Sequence, residues 1–300
     1  MRVLVTGAAG RIGRAVYVRL AREHEVVGLD RTPASTVHLT GDVGDPFLLR
    51  RAVRDVDAVI HTAALHAPHV GVSSDAEFER INVQATTLLA RIAIDAGVRR
   101  FVFTSTTALY GASSRHATRA VWVDESLAPQ PTTVYHRSKI AAEQALARLS
   151  REGLCVTALR MSRCFPEPAP LMAAYRLHRG VDARDVADAH ALALQRDTPG
   201  IERYIVSGAT PFEADDLEEL LRDAPAVLRR RAPELTAAFA ARDWPLPRSI
   251  DRIYAPFAAM QSLGWKPRYG YAEVLQMLDA ESSEVLPPKT AAPRFDERQR

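Results

Sequence analysis

Tyr135 and Lys139, in Val134-Tyr-His-Arg-Ser-Lys139, are the residues of this 300-residue chain whose types and spacing most directly define a chemistry. On a helix, positions i and i+4 share one face, so a phenol and an ammonium stand side by side. A phenol titrates near ~10, and a fixed cation within about 4–6 Å favours the phenolate by roughly one to three units. The pair therefore predicts an acid/base that works near neutrality, taking the proton of an alcohol as a hydride leaves the same carbon. Lys139 also stands out by rarity: of 39 basic residues, only Lys139, Lys266 and Lys289 are lysines.

A hydride needs a carrier, and the N-terminus offers a place for one. Gly7-Ala-Ala-Gly10-Arg-Ile-Gly13 lies between an apolar run read as a strand (3–6) and an amphipathic stretch read as a helix (11–22). Glycines here permit a tight turn, close approach of backbone to a diphosphate and close helix–strand packing. The N–H groups around Arg11, Ile12 and Gly13, with the helix dipole, face the anion. Asp30 ends the second strand about twenty residues on, where a carboxylate accepts bonds from ribose hydroxyls and repels a 2′-phosphate. NAD is therefore expected rather than NADP. Arg31 is the opposing feature, since it could pair with that phosphate or simply face solvent. In Gly41-Asp42-Val43, after the third strand, Asp42 could bond an adenine amine or serve as a plain turn residue.

Positioning these groups requires alternating strands and helices, and the chain supplies them. Strands are expected at 25–29, 36–39, 58–61, 101–104, 155–160 and 204–206, and further helices at 45–54, 75–96, 135–151 and 183–196. That rhythm predicts an α/β fold, a doubly wound parallel sheet of the Rossmann type. Phe165-Pro-Glu-Pro-Ala-Pro170 cannot continue a helix or a central strand, and 210–280 is helical and proline-punctuated. The expected organisation is a nucleotide-binding domain over 1–165, with 183–206 returning to it. A small, mostly helical C-terminal substrate lobe takes 166–182 and 207–285, and 286–300 forms a loose tail.

Composition narrows the partners. Net charge is +3, and the single run of three arginines, Arg229, Arg230 and Arg231, reads as a solvated helix face rather than a nucleic-acid patch. Cys155 and Cys164 lack metal-like spacing and read as buried thiols of a reducing compartment. His61, His66, His69, His136, His178 and His190 show no ligand spacing, so no metal is expected. A strand starts directly after Met1, and no segment approaches the ~20 apolar residues of a membrane span, so a cytoplasmic protein with no membrane partner is expected.

Six motifs in order resemble the extended short-chain dehydrogenase/reductases, the NAD-dependent epimerase/dehydratase family. They are the Thr6-Gly loop, Gly41-Asp-Val43, His61-Thr-Ala-Ala64, Thr104-Ser-Thr-Thr-Ala-Leu-Tyr-Gly111, Tyr135-His-Arg-Ser-Lys139 and Leu159-Arg160. Val181-Asp-Ala-Arg-Asp-Val-Ala-Asp-Ala-His190 and Leu263-Gly-Trp-Lys-Pro267 extend the likeness over most of the chain. The resemblance implies Tyr135 as acid/base, Lys139 on the nicotinamide ribose and lowering the phenol's pKa, and Thr106, where serine is more usual, polarising the substrate oxygen. Ser105 and Thr107 are alternative donors that strand alternation turns away from Thr106's face. The likeness further implies Ala63 at the cofactor, Asn82 shaping the site, and a homodimer through the helices at 75–96 and 135–151.

The chain departs from that pattern after Arg160. Nucleotide-sugar members carry several dozen residues there that wrap the nucleotide, whereas this chain runs from Met161-Ser-Arg-Cys-Phe-Pro-Glu-Pro168 to Val181 directly. The short Pro-rich loop resembles the family's compact sugar-acid dehydrogenases. Arginine grips carboxylates well, and Arg163, Arg176, Arg179 and Arg184 lie in or near this segment, although they could equally neutralise Glu167, Asp182 and Asp185. His66, Thr106, Thr107 and Arg163 are the candidate substrate residues. The expected activity is NAD-dependent oxidoreduction at a secondary alcohol or ketone of a small polar, sugar-like or sugar-acid substrate. Epimerisation by the same triad is the alternative. Dehydration would want carboxylates where Thr107 and Ala108 stand, and a non-catalytic scaffold would not be expected to keep both Tyr135 and Lys139.

Overall fold

The structure is a computed structural model and describes residues 1–288, so most of the expected tail lies outside the described residues. Nine strands are present among the described residues: β1 (Arg2–Thr6), β2 (Glu25–Asp30), β3 (Leu39–Thr40), β4 (Ala58–His61), β5 (Arg100–Thr106), β6 (Val121–Val123), β7 (Cys155–Met161), β8 (Gly200–Val206) and β9 (Arg252–Tyr254). The α-helices are α1 (Arg11–Leu20), α2 (Pro46–Ala52), α3 (Asp75–Phe78), α4 (Ala85–Asp95), α5 (Val134–Leu149), α6 (Ala169–Tyr175), α7 (Ala183–Ala193), α8 (Leu217–Arg222), α9 (Ala224–Arg231), α10 (Pro233–Ala240), α11 (Phe257–Leu263) and α12 (Tyr271–Asp279).

Seven strands form one sheet in the order β3-β2-β1-β4-β5-β7-β8. Every pairing in it is parallel. A parallel sheet is buried on both faces, and the residues show it. Leu4, Phe101 and Phe103 join the core under α2, α4 and α5. Val3, Val5 and Val102 join the core under α1, α7 and α11. Winding reverses direction between β1 and β4, which opens a crevice at the C-terminal ends of these strands, where ligands of such sheets bind.

A third core gathers Met172, Phe212, Leu220, Val227, Leu235, Phe239, Ile253 and Val274 from α6, α8 to α10, β9 and α12. Two segments fall on the other side of the boundaries expected from sequence. Ala120 packs in this third core, and the adjacent β6 pairs with β9 in a separate two-stranded sheet. Conversely, Ala259, Leu263 and Trp265 of 257–265 pack on the main sheet. Trp265 Nε1 donates to Asp185 O at 2.9 Å, and the Asp185 carboxylate accepts from Arg268 N and Tyr269 N at 2.9 and 3.1 Å.

Two other expectations change in detail. The third strand is only Leu39–Thr40, because Thr36 is drawn to the glycine loop, where its Oγ1 donates to Ala8 O at 2.6 Å. The helix expected over 75–96 is interrupted by a π-helical stretch, Glu79–Gln84, between α3 and α4. Such a stretch inside a helix frequently marks a functional site, and Asn82 lies in this one.

Candidate active site

The first turn of the crevice is shaped by missing side chains. Gly7 has φ +72°, and a Cβ there would lie 2.6 Å from Thr62 Oγ1, while one at Gly13 would lie 2.0 Å from Gly7 O. Gly10 precedes α1 and provides no side-chain cap, so the N–H groups at the start of α1 have no capping side chain. Asp30 sits against the loop, its two carboxylate oxygens accepting from Ala9 N and Thr32 N at 3.0 and 2.9 Å. Arg31 is exposed. A dinucleotide fits this cradle: backbone donors at a helix N-terminus for a diphosphate, and a carboxylate at the end of β2 for a ribose.

Not every candidate is free for that duty. Asp42 is held by Arg80 at 3.1 and 3.0 Å and caps Gly44 N at 2.6 Å, so it serves the turn and an ion pair. The Arg80 bonds hold its carboxyl below the usual range. Val43 is buried beside it, and Ala63 N donates to Thr6 Oγ1 at 3.4 Å. Ile12 packs against the α1/α7 core. Arg11 is ion-paired with Glu284, and its buried Nε has no partner.

At the end of β5, Thr106 Oγ1 accepts from Ala108 N at 3.1 Å. α5 starts opposite, with Thr133 Oγ1 accepting from His136 N at 3.3 Å and fixing the first turn that carries Tyr135. The Thr106 hydroxyl lies on the Tyr135 phenol's side and favours its ionised form. Lys139 is 3% exposed, and its Nζ donates to Thr104 O at 2.8 Å and lies 4.5 Å from the Phe103 ring centroid. The structure thus gathers Thr106, Tyr135 and Lys139 at one strand end.

Their electrostatics differ from the expectation. Burial pushes Tyr135 up to about 12, opposed by the Thr106 hydroxyl. Burial also pulls Lys139 down to about 7, opposed by Glu143. Nζ reaches into the sheet toward Thr104 O, and burial is the larger influence on both groups.

The surrounding residues lock this corner. Asn82, 1% exposed, accepts from Leu65 N at 2.8 Å and donates to Leu65 O and Ser138 Oγ, both at 2.9 Å. It thereby ties the strand-four loop to α5. His66 follows in that loop, near enough for Lys139 to lower its pKa after burial and His69, and its ring stacks on Phe165 at 5.8 Å. Thr107 Oγ1 donates to Met161 O at 3.4 Å. Ser105 faces away from Thr106's site and donates to Glu143 Oε1 at 2.6 Å. The periodicity that selects Tyr135 and Lys139 continues to Glu143, but charge alone in a helix sequence reads as surface. Its burial becomes visible only with its partners in place.

On the substrate side, the candidate arginines have acids of their own. Arg163 donates to Glu167 at 2.6 Å, Arg176 to Asp182 at 3.0 Å, and Arg184 to Asp182 and Glu273, both at 2.9 Å. Arg179 donates to Tyr175 OH at 2.9 Å and lies 3.7 Å from Asp251. Arg163 and Gly180 form a bridge at the base of this excursion, so a single short helix, α6, fills the span between β7 and α7. A cavity of about 530 Å³ opens at the lobe, bordered by Arg176, Thr210, Arg231, Glu234, Tyr269 and Tyr271, and not by Thr106, Tyr135 or Lys139.

A model of the NAD dependent epimerase/dehydratase family matches residues 3–169. The chain is 30% identical to dTDP-glucose 4,6-dehydratase of Streptomyces antibioticus, an alignment covering 91% of this chain and 90% of that protein. It is 34% identical to dTDP-D-glucose 4,6-dehydratase of Mus musculus, where the alignment covers 47% of this chain and spans only 44% of the mouse protein. Among solved structures, UDP-glucose 4-epimerase of Thermus thermophilus in complex with NAD superposes with a TM-score of 0.68 at 25% identity, covering 93% of this chain and 98% of that one.

Proposed function

The chain belongs to the NAD-dependent epimerase/dehydratase family, a family of enzymes, and on that premise we propose that it oxidises or reduces a small polar substrate at a secondary alcohol or ketone. The observation that carries the reading is the convergence of Thr106, Tyr135 and Lys139 at the end of β5, in the sheet whose first turn forms a dinucleotide cradle. NAD, when bound, supplies the carrier for the hydride. Gly7, Gly10, Gly13 and the first turn of α1 would hold its diphosphate, and Asp30 its adenosine ribose. Tyr135 takes or returns the hydroxyl proton, Thr106 donates to the substrate oxygen as charge develops there, and Lys139 fixes the ribose and supports the phenolate. The positive charge of Lys139, joined by that of oxidised NAD when it is bound, would act against the burial that raises Tyr135.

The short span between β7 and α7 supports a small sugar-like or sugar-acid substrate rather than a nucleotide-sugar. Because Arg163 is already paired with Glu167, a carboxylate on the substrate would have to compete with that acid. The second reading is epimerisation with NAD retained, favoured by the structural likeness to UDP-glucose 4-epimerase. Dehydration is disfavoured because Thr107 and Ala108 supply no carboxylate. A homodimer across α4 and α5 belongs to the same proposal, with Leu88 and Ile94 half-buried there. So does a cytoplasmic site of action, since both thiols are free and buried. The deciding experiment incubates the protein and NAD with sugars, sugar acids and nucleotide-sugars. Reduced cofactor from a sugar or sugar acid supports the proposal, and an epimer from a nucleotide-sugar without net reduced cofactor replaces it by the second reading.

A further inference from the structure

Glu143 is a buried carboxylate, 3% exposed, for which the proposed chemistry names no task. It accepts from Ser105 Oγ at 2.6 Å, from Arg160 Nε and Nη2 at 3.0 and 2.7 Å, and from Arg203 Nε at 3.0 Å. Arg160 Nη1 continues the network to Tyr110 OH at 3.0 Å, and that hydroxyl donates to Asp124 O at 2.9 Å. Glu143 therefore ties β5, β7 and β8 to α5. Its link on β5 is Ser105, whose neighbours are Thr104, the acceptor for Lys139, and Thr106, whose hydroxyl favours the ionised Tyr135 phenol.

Resting on the function proposed above, we propose that Glu143 is a positioning residue for that active site. Its carboxylate is the counter-charge that lets buried Lys139 remain an ammonium, and its bonds hold the Thr104–Thr106 strand end against the first turns of α5. Position i+4 from Lys139 puts both groups on one helix face. An ammonium with one carbonyl acceptor above an aromatic ring, shielded from water, is costly to keep charged without an anion nearby. The other charged or titratable groups facing Lys139 do not supply one. They are Tyr135 on its own helix, His61 from β4 and His66 from the following loop, both of which Lys139 pushes down, and His190 of α7 across Thr104, while Arg160 of β7 and Arg203 of β8 bond the Glu143 carboxylate itself. Lys139 is drawn to about 7 by burial, and Glu143 is the opposing influence.

The chain contains three lysines, so protein carrying isotope-labelled lysine gives three Cε signals, and Lys139 is assigned by its loss in Lys139→Met. In Glu143→Gln the Lys139 signal should titrate at lower pH by about one unit or more. In Arg203→Gln, at a side chain only one third exposed, it should titrate at higher pH, because one competing cation is gone. Glu143→Asp should keep a midpoint close to wild type while lowering kcat, since charge is retained and reach is shortened. Unchanged midpoints in Glu143→Gln and Arg203→Gln overturn the proposal. If Glu143→Gln does not fold, Arg203→Gln decides alone, and an unchanged or lowered midpoint there overturns it. The alkaline loss of turnover should move with the Lys139 midpoint. A midpoint that moves in a protein that turns over no alcohol or ketone retains the counter-charge role and overturns the functional reading instead.

Discussion

Around the N-terminus of α1 the polar groups are backbone N–H groups and a carboxylate, whereas along the loop after β7 each candidate arginine already has an acid or phenol from its own chain. The proposed nucleotide side leaves backbone donors free for an anion, because glycines cannot satisfy the donors that their own turn exposes. On the substrate side each arginine is paired before any ligand arrives, although Arg176 Nε and Nη1 are buried without a hydrogen-bond partner. The difference teaches that arginines near a cleft do not amount to an anion site unless something is left for the anion to bind. One acid crosses from the second region to the first: Glu284, beside the Leu286–Glu167 bond of 3.0 Å, pairs with Arg11.

The largest effect should come from the group that neither side can replace. Tyr135→Phe should lower turnover by about 10²–10⁴ while NAD affinity, measured by calorimetry, stays within a few-fold, because only proton transfer is removed. A variant keeping half its turnover contradicts the assignment.

Acid compares the stability of the two regions, since both bury neutral histidines. Burial takes His61 of β4 and His190 of α7, which bonds Thr104 of β5, to about 3 and about 4, and His178, against the lobe at Arg252 O, to about 3. Folded values below the unfolded 6.5 mean that their contribution is complete above that pH and is lost as pH falls toward the folded values. Each should cost about 2 kcal/mol between pH 7.5 and 5, so denaturant midpoints should fall by a total of roughly 4–6 kcal/mol in stability. A flat profile over that range contradicts the burial argument.

Smaller effects test the arginine contrast directly. Arg163→Ala should change KM by less than about 3-fold with any substrate, because Glu167 and not the substrate holds the guanidinium. A tenfold rise in KM for a sugar acid would show that the pair opens to admit a carboxylate. Glu284→Gln should tighten NAD by about 2–5-fold by freeing Arg11, the scale of a partly exposed ion pair. Weaker binding would mean that Glu284 orients Arg11 rather than competing for it.

The same contrast explains what could be read from sequence. Gly7, Gly13 and Asp30 act through backbone shape and a single position at a strand end, and both are written in local spacing. The doubly wound parallel sheet was legible for the same reason, as alternation of apolar runs and helical periods. Asp42 was visible as a residue but not as a member of a pair, because Arg80 lies 38 positions away and only folding brings them together, whereas the Arg163–Glu167 pair, four residues apart, was among the alternatives the sequence offered. Thr36 left the third strand for the loop of Ala8, and Trp265 left the lobe for Asp185, both through single hydrogen bonds that no periodicity records. Glu143 was hidden by its type: a charged helix residue reads as solvated until Ser105, Arg160 and Arg203 are seen to surround it.

The most direct test of the proposed nucleotide side is a calorimetric titration of the wild-type chain with NAD and, separately, with NADP. Asp30, bonded to Ala9 N and Thr32 N beside an exposed Arg31, predicts saturable binding of NAD, tighter than NADP, with the gap narrowed in Asp30→Ala. Tighter binding of NADP, or no binding of either, would contradict it.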